Sequence, residues 1–249
     1  MKLLKIFIFL ISGLLIVSCN ESDSNEIDLK SKESKEMVFI YNDIVYKSLY
    51  ILSPDSLMVF QDKSVGDMFF YLQEKPELAM VVEENGEIVY YDNCDIVNSI
   101  YNLKEYKIEE GKNLKVSFPS ITFTVYEHDN YGGKNITHQS SNNFINFTYP
   151  PGTGGKNLND QITSFKTSAS GRFTGPGLIT VILWEDDNFN GKSITFVQNL
   201  NASPQYPNAA GQLNVTNLDN YIRTSGGLLH KKRTWNDCVS SFKVMLTDN

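Results

Sequence analysis

The sequence predicts an all-β C-terminal domain over residues 120–247, preceded by a small α+β domain over residues 37–115. Three observations lead there. From Ile121 onward the apolar segments are short, Gly, Asn, Ser and Thr become frequent, and turn signals recur, the texture of a two-sheet sandwich. Within that half, two stretches are copies of each other, and internal repetition outranks local propensity as a guide to fold. Residues 37–115 instead mix Val-, Ile-, Tyr- and Phe-rich runs with two helix-like segments.

In the first block, apolar runs at Met37–Tyr41, Ile44–Leu52 and Leu57–Phe60 read as strands, with Pro54-Asp55 turning the chain between the last two. Ser64 to Glu74 carries a cap residue, an acid in its first turn and apolar Met68, Phe69, Tyr71 and Leu72, which predicts a short helix closed before Pro76. Leu78–Val82 and Glu87–Tyr91 flank Asn85-Gly86, a hairpin signal in which both turn residues would take positive φ. Asp95–Tyr101 reads as a second helix. Nothing in this block has the pattern of an active site. Residues 113–120, with Pro119, connect it to the second block.

The chain opens with Lys2 and Lys5 ahead of an apolar run from Ile6 to Val17. That is the layout of a secretory signal, and the run is shorter than the roughly 20 residues a spanning helix needs. Ile16-Val17-Ser18-Cys19 closes it and resembles the lipobox of bacterial lipoproteins. The resemblance implies removal of residues 1–18, acylation of Cys19 and lipid anchorage at the bacterial outer membrane. Residues 19–36 are polar and charge-mixed and form the expected disordered tether. Their early acids (Glu21, Asp23, Glu26 and Asp28) loosely resemble the acidic stretch of lipoproteins exported to the cell surface. The whole chain has 22 basic and 29 acidic residues, and residues 1–18 hold two lysines and no acid. So acidic a balance gives no sign of nucleic-acid binding. With Cys19 acylated, Cys94 and Cys238 remain, either as a disulfide or as two buried thiols; with no CxxC pair, a cysteine zinc site is not expected.

The repeat carries the chemistry. The first copy begins Val125-Tyr126-Glu127-His128-Asp129-Asn130-Tyr131-Gly132-Gly133-Lys134, the second Leu183-Trp184-Glu185-Asp186-Asp187-Asn188-Phe189-Asn190-Gly191-Lys192. Each closes on a shared segment, Asn159-Asp160-Gln161-Ile162-Thr163-Ser164-Phe165 and Asn236-Asp237-Cys238-Val239-Ser240-Ser241-Phe242. Gly133 and Gly191 permit positive φ at a sharp fold. The rings Tyr126 with Tyr131, and Trp184 with Phe189, can pack over it.

All four half-motifs resemble those of the βγ-crystallin family, over residues 121–247. The resemblance implies two Greek-key motifs packed as one two-sheet domain. The Asn-Asp-x-x-Thr/Ser turns supply side-chain oxygens and free carbonyls, with no imidazole or thiolate at the side-chain ligand positions, so they favour a hard cation. The family implies two calcium sites shared between keys. By that carry-over Asp160, Gln161 and Thr163 join the carbonyl of Glu185, while Asp237, Cys238 (by its carbonyl) and Ser240 join that of Glu127. Ser164 and Ser241 are expected to tie the hairpins by hydrogen bonds.

The second copy is longer, with an insertion between Phe196 and Thr234 that contains Pro204, Pro207, Gly226, Gly227 and the basic run His230-Lys231-Lys232-Arg233. A loop of that kind can carry binding. The sequence holds no HExxH, G-x-S-x-G, P-loop or dinucleotide fingerprint, and Gly152-Thr153-Gly154-Gly155 lacks a strand-to-helix setting. The expectation is therefore a lipid-anchored, calcium-binding structural or interaction protein rather than an enzyme. A protease inhibitor and a glycan-binding surface protein, each working through the long loop and meeting an envelope protein or glycan, are the alternatives.

Overall fold

A computed structural model describes residues 33–103, 120–140, 144–148, 158–172, 177–200, 208–224 and 232–248. The signal, Cys19, most of the tether, the connection before Ser120, the Gly-rich stretch at 152–155, and Pro204, Pro207, Gly226, Gly227, His230 and Lys231 lie outside them.

The fold is mostly β, with two short helices in the N-terminal part. The N-terminal strands are β1 (Lys35–Tyr41), β2 (Ile44–Leu52), β3 (Met58–Phe60), β4 (Ala79–Val82) and β5 (Ile88–Tyr91), with helices α1 (Lys63–Gln73) and α2 (Cys94–Ile100). The predicted tether is two residues too long, because Lys35 and Glu36 already belong to β1. The start of α1 is set by Asp62, not Ser64: the Asp62 carboxylate accepts from the amides of Ser64 at 2.8 Å and Val65 at 3.4 Å. Asn93 caps α2 through the Ile96 amide at 3.1 Å. The β4–β5 turn differs from the expected one. Gly86 alone has positive φ, +85°, while the Gly86 amide donates to Glu83 O at 2.8 Å, the geometry of a type I turn followed by a glycine bulge. The two-residue turn with both φ positive sits between β1 and β2, at Asn42 (50°) and Asp43 (61°).

The C-terminal strands are β6 (Ser120–Tyr126), β7 (Asn135–Ser140), β8 (Phe144–Thr148), β9 (Ser164–Arg172), β10 (Gly177–Trp184), β11 (Ser193–Leu200), β12 (Asn208–Val215), β13 (Ile222–Thr224), β14 (Lys232–Thr234) and β15 (Ser241–Asp248). They form two facing layers with exchanged members. One layer is antiparallel, in the order β12-β9-β6-β7. The other, β11-β10-β15-β8, is part of an open mixed sheet. Each copy of the repeat thus supplies three strands to one layer and sends its third strand, β8 or β12, to the other. A small antiparallel ribbon, β13-β14, completes the half.

The two blocks distinguished in the sequence are not separate sheets. Among the described residues the order is β3-β2-β1-β5-β4-β11-β10-β15-β8, nine strands joined where β4 runs parallel to β11, Ala79 opposite Ser193 through Val82 opposite Phe196. All four residues of β4 are buried, as a strand covered on both faces requires. Polar ties cross the same seam: Ser193 N to Leu78 O at 3.0 Å, Lys192 Nζ to Gln73 O at 2.5 Å, and Gln198 and Asn199 to the Glu84 carboxylate at 2.6 and 2.8 Å. One core runs from Phe39 and Phe69 under α1 to Phe123, Phe165, Phe196 and Phe242 between the layers. A second, with Val81, Val97, Ile182 and Met245, lies on the opposite face of the large sheet. Among the described residues no helix is long and apolar enough to cross a membrane.

Candidate metal centre

The duplicated hairpins have the same backbone. Asn130 and Tyr131 take φ of 49° and 65°, Asn188 and Phe189 of 54° and 62°, and the glycines that follow, Gly133 and Gly191, of 73° and 75°. Glycine is required twice over at the last position. A Cβ on Gly191 would lie 2.5 Å from Asp186 Oδ2, and one on Gly133 2.8 Å from His128 Cδ2. The rings close over the fold as expected, Tyr126 on Tyr131 at 5.5 Å and Trp184 on Phe189 at 5.3 Å between centroids. The two serines also do what was expected of them. Ser164 Oγ donates to His128 O at 2.6 Å and accepts from Tyr131 N at 3.2 Å; Ser241 Oγ repeats this with Asp186 O at 2.7 Å and Phe189 N at 3.1 Å.

Each hairpin is approached by both Asn-Asp turns, because the turns clasp each other. Asp160 N donates to Val239 O and Asp237 N to Ile162 O, both at 3.2 Å, with Asp160 and Asp237 at φ of 52° and 54°. This crossing corrects the expected grouping of ligands. The Thr163 hydroxyl stands on Glu127 O at 2.8 Å, not on Glu185, with Asn236 Oδ1 at 2.6 Å and Asp237 Oδ1 at 3.5 Å. Ser240 Oγ meets Asp160 Oδ1 at 3.0 Å, and its amide donates to Trp184 O at 2.9 Å, on the Glu185 side rather than the Glu127 side. Asp160 and Asp237 keep their expected sides; the two hydroxyls trade places. The spacing of the residues leaves this ambiguous, since it does not show which turn crosses which hairpin. Gln161 and Cys238 follow the aspartates in the two turns. Cys238 Sγ points to Trp235 O at 3.1 Å, away from the oxygen cluster, in keeping with its sulfur being no ligand.

Asn236, beside Asp237 in the second turn, adds an oxygen that the ligand set expected from the motif did not include. Asp219 is a second neighbour, drawn in by the insertion, part of which is built into the fold. Asn130 N donates to Thr216 O and Leu218 N to Thr163 O, both at 2.8 Å, so this stretch lies against the Glu127 side. The described part of the basic run is likewise held, with Lys232 N donating to Ser56 O at 3.0 Å.

The chemistry of the cluster is that of an oxygen cage short of positive charge. A hydroxyl has one proton, yet the Thr163 hydroxyl faces three acceptors. Partial burial, with Asp219 nearby, pushes the Asp237 carboxyl above its ordinary value. Burial and the neighbouring Glu185, Asp187 and Asp160 do the same to Asp186. A cation placed among these oxygens would relieve the repulsion. Among the described residues no three His, Cys, Asp or Glu side chains converge as metal ligands. The donors here are instead one carboxylate joined by a hydroxyl, an amide oxygen and a main-chain carbonyl, a set suited to calcium and poor for zinc.

No protein-family model and no curated protein matches this sequence.

His138 packs on Phe147 and Phe242, with ring centroids 4.4 and 5.1 Å away, and burial lowers its pKa. His128 is exposed, and His230 is outside the described residues. Cys94 and Cys238 are free thiols, not a disulfide; burial pushes them up to about 11 and about 12. Since the thiolate is the reactive form, both are expected to resist a thiol reagent at pH 8 and to react fully once the chain is unfolded by denaturant. Rapid labelling of the native protein would contradict their burial.

Proposed function

We propose that this chain is a lipid-anchored calcium-binding protein of the bacterial envelope, whose C-terminal half is a βγ-crystallin-type module of two Greek keys. The observation that carries the reading is the oxygen cluster of Glu127 O, Thr163 Oγ1, Asn236 Oδ1 and Asp237 Oδ1, echoed on the second side by Ser240 Oγ with Asp160 Oδ1. The exchanged strands β8 and β12, the paired φ values of the hairpins and the two buried serines support the same reading. The expected donors are the Glu127 carbonyl with Thr163, Asp237 and Cys238 O, and the Glu185 carbonyl with Ser240, Asp160 and Gln161 O.

Bound calcium would supply positive charge where the fold gathers oxygens from both keys. The residues themselves do the rest. Thr163 and Ser240 hold their hydroxyls at the centre because their own amides donate to Tyr126 O and Trp184 O, both at 2.9 Å. Ser164 and Ser241 tie the two hairpins through His128 O and Asp186 O, and the Glu127 carbonyl accepts from the Thr163 hydroxyl. With so few carboxylates per site, affinities near those of extracellular calcium modules, roughly 10⁻⁴–10⁻³ M, are expected. At about 1 mM calcium, linkage then adds ~0.4–1.4 kcal/mol per site. The function is thus a stiffened surface module, held near the membrane by Cys19, rather than a catalyst.

Differential scanning calorimetry tests this. Calcium at about 1 mM should raise Tm by roughly 2–8 °C over the chelated protein. The doubly substituted Asp160→Asn, Asp237→Asn protein should fold and lose that difference. An equal Tm with calcium and with chelator in the unsubstituted protein would count against the proposal.

A further inference from the structure

The two turns are copies in sequence and backbone but not in charge. On the first side, the carboxylate of Glu127 is met by Lys134, whose side chain is 69% exposed and whose Nζ stands 3.9 Å away. Such a cation is well screened and free to swing off. On the second side, Arg223 of β13 pairs with the carboxylate of Glu185, and the two side chains are only 14% and 24% exposed. The guanidinium also lies over the Trp235 ring, 5.7 Å from its centre, and β13 is held by pairing with β14. The other nearby cation, Lys192, donates its ammonium to Gln73 O at 2.5 Å. The stretch that packs against the first side brings an acid instead, Asp219, which accepts from the Thr234 hydroxyl at 2.6 Å.

We infer that Arg223 is a built-in counter-cation of the second site, so that the two calcium sites are unequal and the Glu127–Thr163–Asp237 site loads first. The inference rests on the calcium reading above and ranks its two sites. Arg223 acts in two ways. It neutralises a carboxylate that would attract the ion, and it holds a fixed positive charge beside the residue whose carbonyl would be a ligand. Both effects are weakly screened in a partly buried setting. Arg223 sits in the insertion of the second copy, so the added residues would set the order of filling as well as pack against the fold.

A calcium titration of the full-length protein followed by amide NMR tests the ranking. The amides of residues 127–134 should saturate at about tenfold lower calcium than those of residues 185–192. Arg223→Gln, which keeps a hydrogen-bonding side chain without charge, should tighten the second response by about tenfold and leave the first in place. Equal midpoints in the unsubstituted protein, or earlier saturation of residues 185–192, would overturn the ranking while leaving calcium binding intact. That comparison needs no variant. A second midpoint unmoved in a folded Arg223→Gln protein would overturn the role of Arg223. Absence of any calcium response would overturn the calcium reading and the ranking with it.

Discussion

Replacing Phe242 by alanine is expected to destabilise the chain by about 3–5 kcal/mol, the cost of truncating a large buried ring in a packed core. Phe242 is fully buried. Its ring centre is 4.7 Å from that of Phe123 and 5.3 Å from that of Phe147, with the His138 ring at 5.1 Å. Phe123 comes from β6 of the first layer and Phe147 from β8, which pairs with β15 in the second, so a single side chain joins both layers and both copies of the repeat. It also follows Ser240 and Ser241 directly, so the cavity would open beneath the turn that presents the second set of oxygens. Urea unfolding measures the loss. A change below about 1 kcal/mol would mean that the layers do not close on this ring.

Val81→Pro is expected to cost ~3 kcal/mol or more and to act at a distance. Val81 is fully buried in the middle of β4, opposite Val89 of β5 on one side and Thr195 of β11 on the other. Proline there removes a ladder donor and leaves a buried acceptor without its partner. The readout is informative because both tryptophans, Trp184 and Trp235, lie in the C-terminal half. If the nine strands form one cooperative sheet, tryptophan fluorescence should report a lowered unfolding midpoint for a substitution made in the N-terminal half. An unchanged tryptophan transition would mean that the two halves unfold independently.

Much of this was legible in the chain itself, and the reasons are local. The hairpin glycines, the aromatic pairs and Ser164 and Ser241 are short-range features written twice, and the structure repeats them with nearly equal dihedral angles. The strands and helices of the first block fall within a few residues of their predicted limits because apolar runs and caps bound them closely. Contacts set by assembly were not legible. Ala79–Val82 looks like one arm of a hairpin, and only its lack of alternation hints at the second neighbour, β11. The exchange of Thr163 and Ser240 between sites depends on Asp160 and Asp237 reaching over each other, an arrangement no spacing encodes. Arg223 reaches Glu185 from an insertion with no counterpart motif to flag it. The Asn85-Gly86 turn shows the converse, a strong local signal realised in another geometry because the loop holds one residue more than a two-residue turn.

In the reading proposed above, two clasped turns and two hairpins form oxygen cages for calcium. Anomalous diffraction from crystals of the full-length protein grown in millimolar calcium tests it most directly. The expected result is a strong peak among Glu127 O, Thr163 Oγ1 and Asp237 Oδ1, and a weaker one among Glu185 O, Ser240 Oγ and Asp160 Oδ1. A map with no peak at either place, and with the hydroxyls of Thr163 and Ser240 satisfied by protein alone, would contradict it.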